Sequence, residues 1–212
     1  DIHRFLAGLT LFNTQERIGS IYEAGWRIRA GNDQLGSPTS KLVDILAYNL
    51  LPNHYHLLLR QLVDGGISMF MQSSNGGYTK YFNQRYERVG PLFQGRYRSE
   101  HVSSDAQLRY VSVYVNFNHI VHGLIPLGSR TSKWGVRSSW DEWSAVSQGR
   151  TVTPSIVSGN ELIVGAYQDL QSYEREGLQL ARQVRAHRQH ARFDEIDSAF
   201  ELREHLEVGL PS

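Results

Sequence analysis

The apolar residues at the start of the chain have helical spacing. Their side chains recur at three- and four-residue intervals, at Ile2, Phe5, Leu6, Leu9 and Phe12. This period is typical of one face of an α-helix, so a helix is predicted over residues 1–12, with an extension to about residue 28 that two glycines weaken. Residues 31–40 are turn-forming and are predicted to be a loop.

Two short apolar runs then predict a β-hairpin. Residues 42–50 and 54–60 are each bounded by turn signals, and the pair Pro52-Asn53 lies between them. Side chains alternate faces along a strand, so His54 and His56 point the same way. Two imidazoles on one face can provide nitrogen ligands for a divalent metal, and the alternative is two polar residues on a solvated face.

Helical patterns dominate the rest of the chain. A helix is predicted over residues 67–86, where Gly76-Gly77 indicates a kink or a closely approaching backbone, and a strand at 96–102. Ser104 and Gln107 form a capping-box signal for a helix that runs to about residue 122 and stops at Gly123. Residues 127–160 are predicted to meander with tryptophans packed back on the domain, and residues 161–209 to form two or three helices.

Composition narrows the classes of function. The 212-residue chain has no cysteine, which excludes disulfides, iron–sulfur ligation and a cysteine nucleophile. No apolar run approaches the roughly 20 residues of a membrane span, and no signal peptide is visible. The net charge is only +1, but basic residues interleave with aromatic ones at Lys80, Arg85, Arg88, Arg96 and Arg98. This interleaving favours single-stranded nucleic acid, and the alternative is a solvated charged face.

Tyr114 and Asn118 are one helical turn apart and share a face of the predicted helix. If that helix packs beside the histidine strand, the Asn118 amide can complete a metal site next to the Tyr114 phenol. Tyr110 is the competing tyrosine, and Asn118 is alternatively a helix-end residue. The remaining histidines of this region are interpreted as structural or surface residues, namely His101, His119 and His122.

Three blocks of the chain resemble a known family. Residues 51–59 (LPNHYHLLL), residues 90–97 (GPLFQGRY) and the helix of residues 110–124 are similar, in this order, to the signature segments of the tyrosine transposases of the HUH endonuclease superfamily. The REP-associated tyrosine transposases are the nearest group. The pattern differs here in two places, because His119 follows Asn118 where the family has proline, and Val121 or His122 stands where it has arginine.

The resemblance implies a site, a reaction and a fold. His54 and His56 would be metal ligands with Asn118 as the third, the ion would be Mg²⁺ or Mn²⁺, and Tyr114 would be the nucleophile. The family cleaves and rejoins single-stranded DNA near hairpins through a 5′-phosphotyrosine. The implied fold is α+β, a ferredoxin-like sandwich with a mostly antiparallel sheet, followed by a helical extension.

The resemblance also implies how the chain is organised. Residues 1–125 would be the transposase domain and residues 126–212 a tryptophan-containing linker and helical C-terminal extension. Family members have a further strand before the first helix, and we expect a truncated start rather than a natural deletion. The expected partner is hairpin-containing single-stranded DNA with no membrane, the expected location is cytoplasmic and nucleoid-associated, and monomer and homodimer both stay open.

Two other functions remain open at this point. One is a domesticated DNA-hairpin-binding protein that does not cleave, which the low net charge and the residues after Asn118 favour. The other is an unrelated metallohydrolase in which water attacks, with Asp44 or Asp64 as the general base.

Overall fold

The described residues form an α+β fold around one small antiparallel sheet. The computed structural model describes residues 1–16, 18–19, 41–123, 136–151, 155–159, 161–167 and 169–190. Its elements are α1 (Ile2–Leu11), β1 (Val43–Leu50), β2 (Tyr55–Gln61), α2 (Gly66–Arg85), α3 (Asp105–Val121), β3 (Arg137–Ser138), α4 (Ser139–Ser147), α5 (Glu161–Val164) and α6 (Leu170–His190). None of the helices in the described part of the chain is long and apolar enough to cross a membrane.

Strand β1 lies at the centre of the sheet. The strand order is β2-β1-β3 with antiparallel pairing on both sides, so the predicted hairpin is confirmed. Every residue of β1 is buried. The register shifts between Ile45 and Ala47. A bulge there lets Val43, Ile45 and Tyr48 face the α1–α2 side while Leu46 and Ala47 face the α3–α6 side, and so β1 carries apolar residues into two core clusters.

The first helix is shorter than its longest predicted extent. It ends at Leu11 because Asn13 turns to bind the start of β1 instead of continuing the helix. The Asn13 amide donates to the Val43 carbonyl (2.8 Å) and accepts from the backbone N–H groups of Leu42 (3.1 Å) and Val43 (3.0 Å). The extension is therefore wrong over residues 13–16 and 18–19; the rest of it, and the loop at 31–40, lie outside the described residues.

The strand predicted at residues 96–102 does not form. Both edges of β1 are already paired, by β2 and by β3, and residues 94–101 are all exposed. A strand needs a partner for its backbone groups as well as a suitable sequence, and this segment has neither an available edge of β1 nor a buried face. Its attachment is through a side chain, since the Tyr97 hydroxyl lies 3.2 Å from the Ser68 hydroxyl of α2.

Helix α3 has the predicted caps. The Ser104 hydroxyl accepts from the Gln107 backbone N–H (3.2 Å), and the Gln107 side chain accepts in return from Ser103 (2.9 Å). At the other end Gly123 has φ +66°, a left-handed conformation that glycine adopts without strain. Helix α6 packs closely on α3 because Gly177 lies against the Phe117 ring, where a side chain would collide.

The chain after residue 125 contributes to the same core. Strand β3 pairs with β1, and Ser138 and Asp141 form a capping box at the start of α4. Trp143 is buried and Trp140 packs against the same cluster, as predicted, while Trp134 lies outside the described residues. Helices α5 and α6 agree with the helices predicted from residue 161, and residues 191–209 lie outside the described range. The domain division at residue 125 stays a prediction.

Gly76 and Gly77 offer a paired test of helix packing. Helix α2 runs through both without a break, and the Phe12 ring packs where a Gly77 side chain would stand, whereas nothing lies near Gly76. Gly76→Ala should stabilise the protein by about 0.5–1 kcal/mol through helix propensity. Gly77→Ala should destabilise it by about 1–3 kcal/mol, because the Phe12 ring must move. Urea unfolding measures both, and equal effects of the two substitutions would contradict the close approach of Phe12.

Candidate metal centre

The hairpin turn holds the first histidine. The Leu51 backbone N–H donates to the His54 carbonyl (2.9 Å), which closes the turn before β2. His54 Nδ1 lies 2.8 Å from the Asn53 side-chain oxygen. An amide oxygen only accepts, so Nδ1 of His54 is the donor in this contact, and Nε2 is the nitrogen that would take a metal.

Three histidines meet beside this turn. The His54 ring centroid lies 5.2 Å from that of His56 and 4.9 Å from that of His122. One ring nitrogen from each of the three lies within 4.8 Å of the others. His54 and His56 are therefore on one face of the hairpin, as the alternation predicts, and the end of α3 adds a third imidazole.

His122 was not predicted to be part of this cluster. Its interpretation as a structural or surface residue did not place it beside the hairpin, where its ring packs edge-to-face on His54. A signal was present in the sequence: His122 follows Asn118 by four residues and Tyr114 by eight, which places all three on one helical stripe.

Tyr114 stands next to the histidine pair. Its ring centroid lies 5.9 Å from that of His56, and the Tyr110 ring stacks on the other side of Tyr114 at 6.3 Å. Tyr114 is partly exposed, whereas the Tyr110 hydroxyl is buried. Of the two tyrosines, Tyr114 is thus the one whose ring contacts a histidine of the cluster.

Asn118 is a candidate metal ligand because its buried side-chain amide is unsatisfied. It is fully buried, and neither its amide oxygen nor its amide nitrogen has a hydrogen-bond partner among the described residues. Leaving a buried amide unsatisfied costs about 1–3 kcal/mol for each group. Asn118 lies one turn from Tyr114 and one turn from His122, so a cation between the histidines and α3 would give its oxygen a partner. The donor set and this unsatisfied amide fit a divalent metal.

A buried hydrogen-bond network fixes α3 relative to the histidine strand. Asn49 pairs with His56 in the sheet, and its side-chain amide donates to the Asn116 carbonyl (3.0 Å) and to Nδ1 of His119 (2.9 Å). Burial lowers the pKa of His119 to about 4, so this imidazole is neutral and accepts the hydrogen bond. His119 is thus structural, as interpreted from the sequence, and the register between His56 and α3 is set by side chains.

The five predicted DNA-contacting residues are exposed and lie on α2 and on the segment after it: Lys80, Arg85, Arg88, Arg96 and Arg98. Arg85 donates to the Tyr81 hydroxyl (2.8 Å) and pairs with the Asp1 carboxylate (3.6 Å). The Arg88 guanidinium lies 5.6 Å from the Phe82 ring centroid. These residues form an exposed basic and aromatic surface.

A ring contact connects the segment after α2 with the hairpin. The Phe93 ring lies 5.9 Å from that of Tyr55, which separates the two histidines in the sequence. Because Tyr55 and His56 point to opposite faces of the strand, the segment of residues 91–98 reaches the hairpin from the face opposite to the histidine cluster.

Neither carboxylate proposed as a general base lies beside the histidines. Asp44 pairs with Arg60, which is four residues or about 13 Å along the strand from His56. Burial alone would raise the pKa of Asp44, but hydrogen bonds from Arg60 and Ser158 outweigh it and hold the pKa below its usual value. Asp64 is exposed beyond the far end of β2. This geometry gives no support to a metallohydrolase that uses either aspartate.

Comparison with known proteins identifies the part of the chain that carries the site. No curated protein and no solved structure matches the chain. Residues 35–118, less than half of it, match the family model described as "Transposase IS200 like". The matched range contains His54, His56, Tyr114 and Asn118 and ends before His122. The match shows that residues 35–118 are similar to a transposase family.

Proposed function

We propose that this protein is a metal-dependent transposase that cleaves and rejoins single-stranded DNA near hairpins, with Tyr114 as its nucleophile. The observation that carries the proposal is the position of the Tyr114 ring, 5.9 Å from His56 in a three-histidine cluster. The match of residues 35–118 to a transposase family supports DNA as the partner. The proposal includes the finer fold, a ferredoxin-like sandwich formed by residues 1–125 with residues 126–212 as an extension.

In this proposal His54, His56 and Asn118 hold a divalent ion, Mg²⁺ or Mn²⁺. The buried amide of Asn118 and the Asn53 contact that orients His54 support the assignment. A divalent ion bound there would polarise the scissile phosphate and hold it in line for attack. The protein brings the Tyr114 phenol and the metal ligands together because α3 is held at a fixed position beside β2.

The proposed step is a transesterification in which atoms and charge balance. The Tyr114 hydroxyl oxygen forms a bond to phosphorus and gives up its proton, and the bond from phosphorus to the 3′-oxygen breaks. The leaving 3′-oxygen takes up a proton and becomes a free hydroxyl, while the 5′-phosphate stays on Tyr114. Attack by a 3′-hydroxyl on this ester reverses the step, so rejoining needs no nucleotide cofactor.

The exposed basic and aromatic residues support the choice of single-stranded DNA. Bases stack on aromatic side chains and cations follow the phosphates, and the surface of α2 offers both in Tyr86, Arg85 and Arg88.

The test uses a pool of 3′-end-labelled single-stranded oligonucleotides that contain a hairpin with randomised flanks. With Mn²⁺ or Mg²⁺, a labelled protein–DNA adduct should survive denaturing electrophoresis, and EDTA should abolish it. The 5′-labelled pool should release a fragment ending in a 3′-hydroxyl and form no adduct. An adduct that carries the 5′ label instead would contradict the proposed polarity of cleavage.

The second candidate is a hairpin-binding protein that does not cleave. The observation that favours it is His119, which follows Asn118 where the resembled helix has proline. It predicts hairpin binding that weakens steeply with salt, because phosphate contacts release counterions, and no adduct with any divalent metal. Adduct formation in the same pool would exclude it.

A further inference from the structure

We propose that His122 is a third imidazole ligand of this centre, and that the site therefore selects a first-row transition metal, such as Mn²⁺ or Co²⁺, over Mg²⁺. The inference rests on the proposed metal site and adds a residue that lies outside the family match, which ends at Asn118. It is thus a property of this chain rather than of the matched segment.

The distances permit a shared ion. The three ring nitrogens lie within 4.8 Å of one another. Imidazoles bound to a common ion at about 2.1 Å place their nitrogens roughly 3.4 Å apart in tetrahedral geometry. The rings therefore need to close by at most about 1.4 Å, which rotation about the side-chain bonds supplies.

The backbone of His122 is held at the end of α3. Its N–H donates to the Asn118 carbonyl (3.0 Å), and the next residue, Gly123, takes the left-handed conformation that ends the helix. The carboxyl end of a helix carries a partial negative charge, which favours a cation beside it. The local field and the fixed backbone both suit a metal ligand at this position.

Asn118 provides an independent sign of a ligand between His122 and Tyr114. It is fully buried with an amide that has no partner among the described residues, and it lies one turn before His122 on the same helical stripe. An ion between His122 and the hairpin histidines would lie next to this stripe. Two successive turns of α3 thus offer an amide oxygen and an imidazole to the same point.

The donor set decides the choice of metal. Mg²⁺ prefers carboxylate, phosphate and water oxygens in a regular octahedron. Imidazole nitrogen suits transition metals, whose affinity for such sites rises from Mn²⁺ to Co²⁺ and Ni²⁺. With two imidazoles and an amide the site is ambiguous, and a third imidazole shifts the preference towards the transition metals.

The experiment measures metal binding to the full chain without DNA. Co²⁺ is titrated by isothermal calorimetry and by its visible absorption, with Mg²⁺ as a competitor. The wild type should bind Co²⁺ at a 1:1 ratio and hold it against a large excess of Mg²⁺. His122→Ala should weaken Co²⁺ binding by at least about tenfold, since even indirect changes around a metal cost that much. His101→Ala, an exposed histidine outside the cluster, is the matched control and should bind like the wild type.

A second variant keeps the test decisive if His122→Ala folds poorly. His122→Asn keeps a polar residue that helix ends accept and exchanges a nitrogen donor for an oxygen donor. It should lower the ratio of Co²⁺ to Mg²⁺ affinity by about tenfold or more. The rise in Tm on adding Co²⁺ should be smaller in both variants, because a ligand stabilises the folded state according to its affinity. Unchanged Co²⁺ affinity and selectivity in either folded variant would overturn the proposal.

The outcomes separate this inference from the proposed function. Tyr114→Phe should bind Co²⁺ like the wild type, because the phenol is not one of the ligands. If no DNA adduct forms but Co²⁺ binding depends on His122, the metal inference holds and the cleavage proposal fails. If the wild type forms the adduct and His122→Ala binds metal normally, the cleavage proposal holds and the inference about His122 fails.

Discussion

Replacing Tyr114 with phenylalanine should abolish the covalent protein–DNA adduct while leaving the fold and metal binding unchanged. The substitution removes one oxygen atom and keeps the ring that lies 5.9 Å from His56 and stacks on Tyr110. Without that oxygen no bond to phosphorus forms, so we expect adduct formation to fall by at least about a thousand-fold, as for other essential nucleophiles. Denaturing electrophoresis of the labelled hairpin pool measures the adduct, and Co²⁺ titration checks the site.

Tyr110→Phe is the matched control for this result. Tyr110 is one helical turn away, has the same side chain and stacks on Tyr114, but its hydroxyl is buried. Its loss should leave adduct formation within about threefold of the wild type and affect mainly stability, by about 1 kcal/mol. An adduct that persists in Tyr114→Phe, or one that disappears only in Tyr110→Phe, would show that Tyr114 is not the nucleophile. Tyr110 would then be the candidate.

The parts of the site that sequence reasoning found are those set by local periodicity. His54 and His56 share a face because a strand alternates, and Tyr114 and Asn118 share a face because a helix repeats every 3.6 residues. Both relations hold wherever the two elements lie in space. The sequence could not predict that α3 packs beside β2. The structure shows this packing in the contact between the His56 and Tyr114 rings.

The helical stripe that links Tyr114 and Asn118 extends one further turn, to His122. The place of His122 just before the helix end at Gly123 led to its interpretation as a structural or surface residue. The structure adds that α3 is still in contact with the hairpin at its last turn, where the His122 ring meets His54. Helix ends are judged from their own sequence, whereas their burial depends on what packs against them.

The strand predicted at residues 96–102 is wrong because strand pairing depends on residues far away in the chain. Its sequence is compatible with a strand, but β-structure is completed by a partner elsewhere in the chain. That partner position beside β1 is taken by β3, which comes from Arg137 and Ser138, a stretch with no strong strand pattern. Two residues are enough there because Ser138 also caps α4 and bonds to α3, so side chains rather than length stabilise the pairing.

Polar residues hold α3 in place, and their roles could not be predicted from the sequence. Asn116, on the face of α3 away from solvent, connects four elements. Its carbonyl accepts from Asn49 of β1 (3.0 Å) and Ser138 of β3 (2.7 Å), while its amide donates to the Tyr173 hydroxyl of α6 (2.7 Å) and accepts from Ser139 of α4. An asparagine in an amphipathic helix is ordinarily assigned to the solvent side, and here it is fully buried.

Asn116→Leu should therefore destabilise the protein by about 2–4 kcal/mol although leucine is apolar and similar in size. The substitution removes the buried hydrogen bonds that the Asn116 side chain makes with the Tyr173 and Ser139 hydroxyls, and each group that loses such a bond costs up to about 1–3 kcal/mol. Urea unfolding measures the loss against Asn83→Leu, a half-exposed asparagine of α2 with one hydrogen bond, which should cost under about 1 kcal/mol.

A double-mutant cycle locates the effect and links it to the metal centre. Tyr173→Phe removes the hydroxyl that Asn116 binds, so the double variant Asn116→Leu, Tyr173→Phe should be less unstable than the sum of the two single changes by about 1 kcal/mol or more. The Asn116 side chain bonds α3 to Ser139 of α4 and to Tyr173 of α6, so its loss should let α3 shift beside the sheet, and Co²⁺ affinity should fall by about tenfold in the folded variant. Additive stabilities together with unchanged Co²⁺ affinity would mean that the Asn116 side chain is not what holds α3 beside the histidine strand, and that other contacts set the distance between Tyr114 and His56.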